Sequence, residues 1–149
     1  MEGAEQSHYA PPEAVRKLPS WLLGQAARRA QVLVADALAP EVAGRQHFTV
    51  LASLAESGPA SQAELGRRLW LDRSDMHAIV SALETSGLIE RAGDPMDQRR
   101  KMVTITSTGR RTLKRLERRI QSAQEQILAP LDARERQQLT ALLSRIGQD

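Results

Sequence analysis

Residues 61–106 read SQAELGRRLWLDRSDMHAIVSALETSGLIERAGDPMDQRRKMVTIT. Two short helices and a hairpin follow one another in this stretch. Ser61-Gln62-Ala63-Glu64 opens the first helix, because the Ser61 hydroxyl can accept from the Glu64 backbone while the Glu64 carboxylate reaches back. Leu65 and Leu69 anchor it. Asp72 is a good N-cap for a second helix from Arg73 to Ser86, and Gly87 stands where a left-handed residue ends such a helix. Met76, Ile79, Val80 and Leu83 recur at helical spacing and make its buried face. Ser74, His77, Ala78, Ser81 and Thr85 repeat that spacing on the other side, which is small and polar. Leu88 to Ala92 and Met102 to Thr106 predict strands, with Val103 and Ile105 alternating with threonines. Asp94-Pro95-Met96-Asp97-Gln98-Arg99-Arg100-Lys101 forms the basic tip between them.

This order predicts a winged helix-turn-helix, in which the second helix can enter a major groove while the tip reaches the neighbouring minor groove. Ser74, Asp75, His77, Ala78 and Ser81 form the candidate reading face. The small residues among them let the helix axis come close to base edges, where His77 and Ser81 can donate or accept hydrogen bonds. Arg73 at the helix start is placed to grip phosphate, as are Arg67 and Arg68 on the preceding helix. Arg99 and Arg100 at the tip suit a narrow, electronegative minor groove, since a guanidinium is planar and always charged.

On the N-terminal side, residues 1–17 show no helical or strand period and read as a loose arm punctuated by Gly3, Pro11 and Pro12. Residues 18–45 carry a long helix with a broad apolar stripe that includes Leu18, Leu22, Ala26 and Leu33. Gln46 to Glu56 predicts a helix stopped by Ser57-Gly58-Pro59. Beyond the hairpin, residues 107–149 hold two more helices. In the first, Leu113, Leu116, Ile120, Ala123 and Ile127 keep a 3-4 spacing like a short coiled-coil seam. In the second, capped by Asp132 and Glu135, the stripe is Leu139, Leu142, Leu143 and Ile146. The expected architecture is mainly α with a small β-hairpin wing. It is one compact domain in which the winged module, residues 46–106, lies between N- and C-terminal dimerisation helices. Leu18, Leu22, Leu116, Ile120, Leu139, Leu142, Leu143 and Ile146 are the expected dimer contacts, because these helices carry more apolar surface than a monomer of this size needs.

At 149 residues the chain suits a single core. Aromatic residues make up only 3%, so that core must be aliphatic. The net charge is +3 and the pI near 9.9, which leans toward a polyanionic partner. The absence of cysteine excludes disulfides, thiolate metal sites and cysteine nucleophiles. His8, His47 and His77 lack metal-ligand spacing, so no metal or cofactor is expected. Neither a membrane span nor a secretory signal is visible, and the default compartment is the cytoplasm. No Gly-rich phosphate loop, nucleophile triad or paired carboxylate points to an enzyme. Trp21 and His47 are candidates for lining a ligand pocket where the dimer region meets the reading module.

The chain resembles the MarR family of bacterial transcriptional regulators over Leu18 to Ile146. The match is most specific from Gly87-Leu88-Ile89-Glu90-Arg91 through Asp94-Pro95-Met96-Asp97-Gln98-Arg99-Arg100 to Val103-Thr104-Ile105-Thr106-Ser107-Thr108-Gly109. Ser61-Gln62-Ala63-Glu64-Leu65-Gly66 matches the family's helix start. The resemblance implies a dimer on a near-palindromic operator in double-stranded DNA, most often a repressor released by a small aromatic or phenolic ligand. It implies that Arg99 enters the minor groove and that Asp97 braces it. Many members carry an arginine in the recognition helix where this chain has Ala78, so the operator sequence does not transfer. The competing reading is a winged-helix protein–protein adaptor that does not bind DNA.

Overall fold

The computed structural model describes residues 11–42, 44–97 and 99–147. Most of the N-terminal arm, residues 1–10, lies outside them. Its remainder is less featureless than the sequence suggests, since Glu13–Arg16 forms one helical turn, α1. Helix α2, Pro19–Leu38, begins with proline at a position where a missing N–H costs nothing. Helix α3 spans Arg45–Ser57 and ends on Gly58 at φ 78, a backbone region that glycine enters freely.

The reading module follows. Strand β1, Ala60–Ser61, runs directly into helix α4, Gln62–Leu69. The capping box is complete: Glu64 N–H donates to Ser61 Oγ at 3.2 Å, and Ser61 N–H donates to Glu64 Oε2 at 2.8 Å. Helix α5, Arg73–Thr85, starts where Asp72 Oδ1 accepts from Asp75 N–H at 2.8 Å. Gly87 then turns the chain at φ 70. Strands β2, Ile89–Gly93, and β3, Lys101–Ile105, pair antiparallel with Arg91 opposite Val103.

The expected hairpin is part of a three-stranded sheet in the order β1-β3-β2. Ala60 pairs with Val103 and Ser61 with Met102. Two residues carry no period, which is why β1 leaves no mark in the sequence.

Helix α6, Ser107–Leu128, is capped by Thr106, whose hydroxyl accepts from Gly109 N–H at 2.9 Å. Helix α7, Ala133–Ile146, has a second complete capping box from Asp132 and Glu135.

The core is aliphatic. Val50, Leu51 and Leu54 of α3 meet Leu65 of α4, the Met76-Ile79-Val80-Leu83 face of α5, Val103 and Ile105 of β3, and Leu113 and Leu116 of α6. Burying such side chains contributes about 1.5–3 kcal/mol each. Leu116, expected at the dimer seam, is fully buried within one chain. Ile120, one turn further, is half-buried and packs on the same core. The 3-4 stripe of α6 therefore faces its own α2 and α3. A heptad-like period reports that a stripe is buried, not whose helices cover it.

The other expected dimer contacts remain open to solvent. Leu18 and Leu22 on α2 and Leu142, Leu143 and Ile146 on α7 are all exposed, and Leu139 is half-buried. No residue of α7 is buried.

Candidate nucleic-acid interface

The two faces of α5 have opposite environments. Met76, Ile79, Val80 and Leu83 are buried, while Arg73, Ser74, Asp75, His77 and Ala78 are exposed and Ser81 is half-buried. The helix is held from both ends. Asp72 caps its start, and at its far end Glu84 Oε2 accepts from Arg91 Nη2 at 2.6 Å and from Nε at 3.0 Å. This pairing lowers the Glu84 carboxyl below its ordinary range, chiefly through the Arg91 hydrogen bonds. It ties the end of α5 to β2.

The wing tip is shaped by its aspartates. Asp94 Oδ1 accepts from Met96 N–H at 2.9 Å, and Asp97 Oδ1 accepts from Arg99 N–H at 3.0 Å. Arg100 N–H donates to the Asp97 carbonyl at 2.9 Å, and Asp94 N–H donates to the Arg100 carbonyl at 2.7 Å. A turn closed by these bonds presents Arg99 outward. Arg99 is exposed and has no ion-pair partner among the described residues.

Arg100, grouped with Arg99 by the sequence pattern, takes a different course. Its Nη2 lies 2.6 Å from Glu64 Oε1 and 3.4 Å from Ser61 Oγ. The guanidinium folds back onto the start of α4 and clasps the wing to the first helix of the module. Glu64 responds to both partners: the Ser61 backbone N–H, then the Arg100 side chain, lower its carboxyl pKa from 4.5 to about 2. Proximity in sequence does not distinguish two neighbouring arginines; Glu64 does.

Arg67 and Arg68 are exposed on the last turn of α4. Arg110, Arg111, Lys114 and Arg118 form an exposed basic face on α6, whereas Arg115 is engaged by Glu41 through Nη2 at 2.7 Å. Trp70, which the pattern of the sequence does not single out, occupies the turn between α4 and α5 and is 94% exposed. Its one available signal is its place: a large aromatic residue where a helix ends and a glycine would be expected.

Neither of two spaces near α2 and α3 is lined by both Trp21 and His47. A groove of about 560 Å³ lies between α2, α3 and α6, lined by Ala27, Ala30, Val34, Phe48 and Ile120 with Gln31, Arg45 and Gln124. His47 instead lines a smaller recess of about 250 Å³ with Glu41, Val42 and Leu83, and burial lowers its pKa. Trp21 is half-buried and lines neither space. Among the described residues no group of His, Asp or Glu is placed to hold a metal ion, and no helix is long and apolar enough to cross a membrane.

A capped helix with one polar exposed face, tied to a wing that ends in an exposed arginine, defines a winged helix-turn-helix protein. Comparison with known proteins agrees. The sequence model of the MarR family matches residues 44–100. The HTH-type transcriptional regulator YxaD of Bacillus subtilis is 34% identical over 103 residues, covering 69% of this chain and 72% of that one. The homoprotocatechuate degradative operon repressor of Escherichia coli is 32% identical over 98 residues, 66% of each chain. Among solved structures, a probable transcriptional regulator from Pseudomonas aeruginosa superposes with a TM-score of 0.77 at 32% identity, covering 88% of this chain and 98% of that one. The chain belongs to the MarR family of transcriptional regulators.

Proposed function

We propose that two copies of this chain form a repressor that holds a near-palindromic operator and releases it when a small aromatic or phenolic acid binds. The observation that carries the reading is the exposed polar face of α5 together with the exposed Arg99 at the wing tip. In this reading α5 enters the major groove, and Ser74, Asp75, His77, Ala78 and Ser81 face the base edges. Arg73, Arg67 and Arg68 hold phosphate, Arg99 enters the minor groove, and Arg100 keeps the wing in place.

The exposed apolar side chains of α2 and α7 supply the dimer surface, which sets the two reading helices about one helical turn of duplex apart, roughly 34 Å. The groove between α2, α3 and α6 has the size and apolar lining of a ligand site. It joins the dimerisation helix α2 to α3 of the module, so a ligand there favours one spacing of the helices over another. The shift it causes is limited by its difference in affinity for the two states. Arg45 gives the groove a cation suited to a carboxylate. The repressor role and a phenolic effector are supported by the E. coli relative, whose name is that of a repressor of a homoprotocatechuate degradative operon.

Binding of the protein to DNA from upstream of its own gene tests the reading. Arg99→Ala is expected to weaken that binding at least about tenfold, in line with roughly 1–3 kcal/mol for a good contact. An unchanged affinity and salt slope in this variant would mean that the wing is idle. No binding by the unsubstituted protein even at low salt would favour the protein–protein adaptor instead.

A further inference from the structure

Trp70 follows α4 with φ 53 and ψ 42. It is the one non-glycine residue with positive φ among the described residues, and 94% of its surface is exposed. Both features oppose folding. A left-handed backbone is unfavourable for any residue with a Cβ, and an indole left in water gives up one of the largest apolar surfaces a side chain can bury. Glycine here would remove both penalties.

The ring borders an open groove of about 780 Å³ together with Gln62 and Arg67 of α4 and Arg73 of α5. Arg67 and Arg73 are exposed, and neither has an ion-pair partner among the described residues. An exposed indole and two exposed arginines thus line one groove at the start of the reading helix.

We infer that Trp70 is a contact to the DNA backbone. Its ring lies against deoxyribose at the edge of the major groove, and its Nε1–H donates to a phosphate oxygen. Arg67 and Arg73 take the adjacent phosphates. Duplex DNA is the occupant because the two cations complement phosphate and because Arg73 makes the groove continuous with the exposed face of α5. No residue of α2 or α7 lines this groove, so it is separate from the apolar surfaces of those helices. The inference rests on the placement of α5 in the major groove proposed above. Contacts to sugar and phosphate position a protein without reading sequence, so Trp70 strengthens binding to any duplex.

The test uses the full chain with Trp70→Gly, Trp70→Phe or Arg67→Ala, titrated with upstream DNA and with an unrelated duplex of equal length over a range of salt. Trp70→Gly is expected to keep or raise the melting temperature, since glycine suits the left-handed turn, yet to weaken binding to both duplexes at least about fivefold. Its salt slope should match the unsubstituted protein, because indole carries no charge, whereas Arg67→Ala should flatten the slope by about one. Trp70→Phe keeps a ring without the donor and should fall between. The sequence contains two tryptophans, so in a Trp21→Phe background the emission of Trp70 should become shielded from acrylamide when DNA is added. Undiminished affinity in Trp70→Gly, or equal quenching in free protein and complex, overturns the inference and leaves the ring to a protein partner. If the unsubstituted protein binds neither duplex, the proposed function falls and this contact falls with it.

Discussion

Gly109 sits where β3 hands over to α6, and it has no room for a side chain. A Cβ there would overlap the Leu88 carbonyl oxygen and lie 2.8 Å from Ile105 Cγ1. Both neighbours flank the wing, so neither can move without disturbing it. Gly109→Ala is expected to destabilise the fold by roughly 3 kcal/mol, the upper part of the range for overpacking a core. Chemical denaturation would measure it, and a midpoint within error of the unsubstituted protein would show that the junction is looser than the structure indicates. The glycine itself is visible in the sequence as part of a family pattern. The reason for it is not, because Leu88 lies far away along the chain and meets Gly109 only when α6 docks. Arg99 and Arg100 make the same point. The tip pattern marks both as DNA contacts, but a tip pattern does not say which way a side chain points.

The clasp between α4 and the wing joins two elements through one carboxylate. Glu64 receives the Ser61 backbone N–H and the Arg100 guanidinium, which together hold its pKa at about 2 rather than 4.5. A carboxyl lowered on folding stabilises the native state above its unfolded value, and that contribution is lost as pH falls through the folded value. The gap in stability between the native protein and Glu64→Gln should therefore be full above about pH 4.5 and close toward pH 2. Denaturation across that pH series checks it, and a constant gap would mean that the clasp does not form in solution. The same variant should weaken operator binding by freeing the wing from α4. The helix starts are legible in the linear sequence because a cap is made by residues three apart: Ser61 with Glu64, and Asp132 with Glu135. Strand β1 is not, because its partner Val103 lies across the module and its two residues have no period of their own.

The chain as a whole leaves apolar side chains of α2 and α7 uncovered, with Ile146 67% and Leu142 53% exposed. A second copy would cover them. Replacing Leu142 and Ile146 together by glutamate is expected to yield monomers in sedimentation with an intact fold, since no residue of α7 is buried within the chain. Such monomers should bind operator DNA poorly, because one reading module alone makes half the contacts. A dimer that survives the double substitution would place the interface elsewhere.

Helix caps, turn glycines and the periods of apolar side chains can be read from the linear order of residues, because each arises among neighbours a few positions apart. From these come the order of elements, the polar face of α5 and the arginine-bearing wing. Which partner a stripe or a charge meets is a matter of contacts between distant residues. Packing against α2 and α3 turns the α6 stripe inward and places Leu116 in the chain's own core. An ion pair with Glu64 withdraws Arg100 from the tip and leaves Arg99 there. The turn after α4, closed by the Leu71 N–H on the Gly66 carbonyl, holds Trp70 out in water, where no element among the described residues packs over it.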